Sequence, residues 1–193
     1  MLSLSSNPEV GTPLSQVLED AFRGAATGFF DGVREVTPPD EDKYQFLEGE
    51  TWASVLGFTS SDVRGSLVVN MSKEAVMKSL PPEVTASYSS DPESPRYHAM
   101  LNDWCGEISN QICGRAKNRV ASYGPLISLS TPISLLARGI VWGPSSATHV
   151  FRHFFETDFG RVLSIASLTI EKDHFVEPIQ GANPAEEGEM MLF

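Results

Sequence analysis

The chain has 193 residues and a net charge of −11 at pH 7, because 25 acidic residues outnumber 14 basic ones. An apolar fraction of 41% is typical of a folded globular protein rather than a disordered chain. The acidic surface and the lack of a Lys/Arg-rich patch argue against nucleic-acid binding. No apolar run reaches the roughly 20 residues that span a bilayer, and the N-terminal sequence lacks the features of a secretory signal. We therefore expect a cytoplasmic protein.

A long amphipathic helix is the first predicted element. We assign residues 1–12 to a flexible lead-in. From Pro13 to Phe29, apolar residues recur at steps of three and four, and Thr12 is the candidate N-cap. The Pro- and Asp-rich segment 36–42 is typical of a loop and ends this pattern.

A hairpin and a short helix are predicted next. Residues 52–59 and 64–71 are rich in β-formers and are separated by a short polar turn. Ser72 is a good N-cap for a helix over residues 73–80, and the proline pair beginning at Pro81 stops it.

The strongest helical signal runs from 96 to 122, after a predicted surface loop at 83–95. A Tyr-Gly-Pro sequence beginning at Tyr123 ends it. Cys105 and Cys113 lie eight residues apart on this helix. Their backbones would then be about 12 Å apart, which is too far for a disulfide. We expect two buried, reduced thiols.

The remaining pattern is extended, followed by an acidic tail over residues 173–193. The predicted strands are 126–131, 147–157 and 161–170, with a short further candidate at 140–142. A turn at 158–160 joins the last two long strands as a hairpin. Because strands and helices do not alternate regularly, we predict an α+β fold. Its mixed or antiparallel sheet is covered on one face by two long helices.

One stripe of the long helix carries a distinctive set of polar residues. The opposite side is apolar and must pack on the sheet. The polar stripe, which falls within about 40° of its first member, consists of Asp103, Glu107, Asn110, Gly114 and Lys117. Glycine inside a helix costs roughly 1 kcal/mol relative to alanine. Position 114 therefore predicts a close approach by another backbone or side chain.

Ordinary explanations exist for each residue of this stripe. Any solvated helix face carries charged residues, and Glu107 could pair locally with Arg115 or Lys117. Asn110 is the least ordinary, since asparagine is a weak helix former that gains nothing by facing water. Elsewhere, His149 and His153 share one face of a predicted strand, but without a clear third ligand they do not predict a metal site.

Residues 103–114, DWCGEISNQICG, resemble the phosphatase motif of the CheC/CheX/FliY family of bacterial chemotaxis. The strand, Ser cap and short helix that precede the motif also resemble that family. The resemblance covers residues 13–172, which we take as one domain, and a single motif copy indicates the CheX-like branch.

This resemblance implies a phosphatase that hydrolyses the aspartyl phosphate of a CheY-like response regulator. Asn110 would position the attacking water, and Glu107 would pair with a lysine of the regulator. The regulator would supply Mg²⁺, so the protein would need no cofactor of its own. Asp103, Gly114 and Lys117 would contact the partner. The resemblance also implies a homodimer paired through edge strands. The alternative is a CheX-like binding module that recognises a signalling partner without hydrolysis.

Overall fold

The protein is described by a computed structural model that covers residues 11–30, 32–37, 47, 49–82, 84, 94–138 and 146–180. The helices of these ranges are α1 (Leu14–Thr27), α2 (Lys73–Lys78) and α3 (Pro95–Ala121). The strands are β1 (Thr12–Pro13), β2 (Arg34–Val36), β3 (Glu50–Thr59), β4 (Val63–Ser72), β5 (Ser128–Leu129), β6 (Ile133–Arg138), β7 (His149–Thr157), β8 (Gly160–Ile170) and β9 (Phe175–Val176).

A seven-stranded antiparallel sheet forms the centre of the fold. Its order is β2-β7-β8-β4-β3, and β5 and β6 pair with successive lengths of the far edge of β3. The predicted α+β class and antiparallel sheet are confirmed. None of the helices in the described ranges combines the length and apolar character needed to cross a membrane.

One face of the sheet is apolar and packs beneath α1 and α3. Alternate residues of β3, namely Trp52, Leu56 and Phe58, point to this face and are buried. Phe22 of α1 lies 5.2 Å from Phe58 between ring centroids, and His98 of α3 lies 6.0 Å from Trp52. Both long helices therefore cover the same face, as predicted.

Serine caps begin the second and third helices. The Ser72 hydroxyl accepts a hydrogen bond from the Ala75 amide at 3.2 Å, which confirms the predicted cap. Ser94 caps α3 in the same way through the Tyr97 amide at 3.2 Å, and Pro95 occupies the first helical turn. The predicted span 96–122 thus agrees with α3 to within one residue at each end.

The predicted cap of α1 is wrong. Pro13 occupies the N-cap position, and its side chain makes no capping hydrogen bond. Thr12 instead pairs with Val176 in the small β1-β9 sheet. A partner far along the chain therefore holds its backbone in an extended conformation. The helix also ends at Gly28, which leaves Phe29 beyond it.

The C-terminal end of the described chain is attached to the domain. Ser15 donates to the Asp173 carboxylate from its amide at 2.9 Å and from its hydroxyl at 2.6 Å. Burial opposes ionisation of Asp173, but these hydrogen bonds hold its pKa below the ordinary value. The Ile179 amide donates to the Ser122 carbonyl at 2.7 Å. Residues 173–180, at the start of the predicted tail, therefore pack on α1 and α3, while residues 181–193 lie outside the described ranges.

The edge beyond β3 differs most from the prediction. The predicted strand over residues 126–131 shortens to β5, and β6, which follows Pro132, was not predicted. Arg138 of β6 donates to Glu50 of β3 at 2.8 Å, and this bond holds the pKa of the Glu50 carboxyl below its ordinary value. The candidate strand at 140–142 and most of the predicted loop at 83–95 lie outside the described residues.

Candidate functional site

The site is built on α3, whose two sides differ sharply. Cys105, Ile108 and Ile112 are each 0% exposed and pack into the core. Their spacing of three and four residues places them on one side of the helix. Asp103, on the opposite side, is exposed, and Glu107 and Asn110 are half-buried. The predicted division of this helix into a core side and a polar side is confirmed.

The polar side forms one wall of a cavity of about 360 Å³. The helix contributes Asn102, Asp103, Gly106, Glu107 and Asn110, and the facing wall consists of Thr131, Pro132 and Ser134. Three of the predicted site residues, Asp103, Glu107 and Asn110, are therefore brought together. Gly114 and Lys117 lie farther along the same helix and do not line this cavity.

The carboxylate of Glu107 is held by a neutral neighbour. Gln111, one turn later, donates from Nε2 to Glu107 Oε1 at 2.9 Å. Arg115 is committed elsewhere, since it donates to the Gly28 carbonyl at 2.5 Å and lies 5.7 Å from the Phe29 ring centroid. Within the described ranges Glu107 forms no ion pair with either Arg115 or Lys117. Its negative charge is thus available to a partner.

Gly106 allows the facing wall to approach the helix. A Cβ atom at this position would lie 3.1 Å from Ser134 Oγ and 3.4 Å from Pro132 Cγ. The distance to Ser134 is tighter than ordinary van der Waals contact and the distance to Pro132 is at its lower limit, so an added methyl group would require the Ser134 hydroxyl to shift by a few tenths of an ångström. The contributions of Gly106, Thr131 and Ser134 could not be predicted from the sequence because β6 was not predicted. The proline at 132, which follows a serine-rich strand, was the available signal for a wall-forming turn.

Comparison with known proteins assigns the family. The model of the family described as chemotaxis phosphatase CheX matches residues 53–154, a segment that includes α3 and both walls of the cavity. The chain belongs to the CheX family. The CheX-like branch indicated by the single motif copy is thereby confirmed. No curated protein matches the chain.

Solved structures of CheX proteins share the fold. The chemotaxis protein CheX from Vibrio vulnificus is 17% identical, with a TM-score of 0.56 over 84% of this chain and 99% of that one. CheX from Desulfovibrio desulfuricans is 18% identical, with a TM-score of 0.57 over 78% and 98% of the two chains. CheX from Borrelia burgdorferi, solved as a CheX-CheY-BeF3-Mg complex, is 12% identical, with a TM-score of 0.54 over 80% and 96%.

Within the described residues, the packing of this CheX-family chain gives no reason for Gly114. A Cβ atom added there would lie in open space, with no described atom beyond the helix's own backbone within 4 Å. The predicted close approach is therefore not made by the described part of the chain, and the open space lies on the same helix side as Asn110. Lys117, one turn later, forms no ion pair within the described ranges.

Three buried titratable side chains of this CheX-family fold, those of Cys105, Cys113 and His153, lie outside the cavity. Burial raises the pKa of both the Cys105 and Cys113 thiols to about 12, and both cysteines are free and buried, as predicted. His153 is buried, and its Nδ1 lies 2.9 Å from Glu35 Oε1. In the described part of the chain, no three His, Cys, Asp or Glu residues cluster as a metal site would require.

Proposed function

We propose that this CheX-family protein hydrolyses the aspartyl phosphate of a CheY-like response regulator. One observation carries the proposal: Glu107 and Asn110 lie one turn apart on α3 and line the same open cavity. A rigid helix can therefore deliver both groups together into a partner's active site. CheX from Borrelia burgdorferi has a similar fold and was solved in complex with CheY, which supports the choice of partner.

Asn110 is suited to positioning the attacking water. An acyl phosphate is already labile, so the main contribution required of the protein is to hold a water in line with the phosphorus. A carboxamide can donate to and accept from one water without carrying charge. A carboxylate at the same position would repel the phosphoryl group, which is negatively charged.

Glu107 is suited to anchoring the regulator. Among the described residues, its carboxylate accepts a hydrogen bond only from the neutral Gln111 amide, so a lysine beside the regulator's phosphoaspartate can pair with it on docking. Asp103 would extend this contact at the rim, and Gly114 and Lys117 would extend it along α3. Mg²⁺ would come from the regulator, where it would stabilise the carboxylate that leaves the phosphorus. A regulator partner also implies the cytoplasm.

The test mixes the protein with each CheY-like regulator of the same genome, phosphorylated with acetyl phosphate. We expect Asn110→Ala to reduce the rate of phosphate release by about 10²-fold or more while regulator binding is retained, because one positioning group is lost. Glu107→Lys should weaken binding strongly, because it places like charges together. Phosphate release and equilibrium binding, each measured with the same regulators, separate the two effects.

Three results decide between the alternatives. Hydrolysis by Asn110→Ala at the unchanged rate would contradict the water-positioning role. If the unchanged protein binds a regulator without accelerating phosphate release, it is instead a non-catalytic binding module. The control is Ser61→Ala, a change at an exposed position of the β3–β4 turn outside the cavity, which should alter neither quantity.

We also propose that the protein forms a homodimer through β6. This strand pairs with β3 on one side and with no other strand of the described chain. It carries Ile133, Leu135 and Leu136, which are 69%, 37% and 38% exposed. An apolar strand at a sheet edge presents unpaired backbone groups, and a second copy can pair with them.

Ile133→Lys should convert the dimer to a monomer, because it places a charge in the apolar interface. Light scattering coupled to size-exclusion chromatography measures the mass directly. Ile179→Lys, a matched change at another exposed apolar residue outside β6, should leave the dimer intact. A monomeric mass for the unchanged protein would contradict the proposal.

A further inference from the structure

The cavity beside Glu107 and Asn110 has a second wall that the motif does not describe. This wall comes from the β5–β6 connection and the start of β6, 17 to 20 residues beyond the end of the motif, and carries the hydroxyls of Thr131 and Ser134. Among the described residues, those that line the cavity include two acids and no lysine or arginine. Its chemistry therefore favours a cationic group that donates hydrogen bonds.

Ser134 faces the helix rather than the far side of the sheet. It lies opposite Ser54, whose side chain is fully buried beneath the helices, and Ile133 and Leu135 point to the other face. Its Oγ would lie 3.1 Å from a Cβ at Gly106, the residue directly before Glu107. Within the described residues this hydroxyl makes no hydrogen bond, so its oxygen can accept one from a partner.

An ammonium group needs more than one acceptor when it leaves water. A lysine side chain has three donors, and Glu107 would satisfy only part of this set. We propose that Ser134, supported by Thr131, forms the second wall of the docking site and accepts a hydrogen bond from the regulator's cationic side chain that pairs with Glu107. This inference rests on the proposed function and makes Ser134 a positioning residue, which sets how the regulator meets Asn110.

The experiment compares Ser134→Ala with Ser128→Ala, a control serine of β5 that lies outside this cavity. The substrates are the CheY-like regulators described above, phosphorylated with acetyl phosphate. Loss of one hydrogen bond to a charged group should raise KM by roughly tenfold. The kcat value should stay within about twofold, because Asn110 is unchanged. Ser128→Ala should behave as the unchanged protein.

A second variant tests the contact between the two walls. Gly106→Ala places a Cβ against Ser134 Oγ, so it should displace the hydroxyl and also raise KM. In the Ser134→Ala background the same change should have little further effect, because the atom it displaces is gone. Thermal unfolding of each variant shows whether the fold is intact.

The outcomes separate this inference from the proposed function. If Asn110→Ala abolishes hydrolysis while Ser134→Ala leaves KM unchanged, the second wall is wrong and the phosphatase stands. If the unchanged protein only binds the regulator and Ser134→Ala weakens binding, the wall stands and the phosphatase is wrong. If the unchanged protein binds none of the regulators, both are overturned.

Discussion

The two sides of α3 differ in what their residues must satisfy. Ile108 and Ile112 on the inner side are fully buried, so their size and shape determine how the helix sits on the sheet. Glu107 and Asn110 on the outer side are half-buried and line the cavity, and their value lies in charge and hydrogen bonding. The inner side therefore positions the helix, and the outer side is left available to a partner. Changes on the two sides should have separable effects.

The largest expected effect concerns Cys105 and Cys113, whose thiols lie on the inner side of α3. With a pKa of about 12, Cys105 and Cys113 hold almost no thiolate at pH 8, and burial also blocks access. Because their pKa is raised, the reactivity of both thiols stays low until the pH rises far above the ordinary pKa of a cysteine. We expect modification by a thiol reagent to be on the order of a thousandfold slower in the native protein than in denaturant. Rapid native modification of both thiols would contradict the buried inner side.

Truncation of the inner side should act on stability. Ile108→Ala removes a fully buried side chain and leaves a cavity, so it should reduce the free energy of unfolding by about 2–5 kcal/mol. Urea denaturation measures this change. The exposed Asn118 on the same helix provides the matched control, since Asn118→Ala should change stability by no more than about 0.5 kcal/mol. Equal losses in the free energy of unfolding for Ile108→Ala and Asn118→Ala would contradict the distinction between the two sides.

The smallest expected effects concern Gly114, where one substitution should raise stability but weaken regulator binding. Gly114→Ala should stabilise the helix by about 1 kcal/mol, because within the described residues the added methyl group would lie in open space. If a regulator approaches closely there, the same change should weaken binding several-fold. Thermal unfolding and regulator binding measure the two quantities. Unchanged binding would show that the regulator does not use this space.

Local features were predictable because they depend on neighbours a few residues apart. Ser72 caps α2 through an amide three positions away, and the β3–β4 hairpin joins adjacent strands. The polar stripe with Asp103, Glu107 and Asn110 follows from helical periodicity alone. Accordingly, the α+β class, the buried thiols and the exposed side of the motif helix could be read from the chain.

Only the tertiary structure decided what faces this stripe. Thr12 became part of a strand rather than a cap because Val176 pairs with it, and Ser15 meets Asp173 across 158 positions of sequence. The cavity joins α3 to the wall at Thr131 and Ser134 through the pairing of β6 with β3. Such contacts depend on how separate elements pack, and helix or strand periodicity carries no information about which distant segments meet.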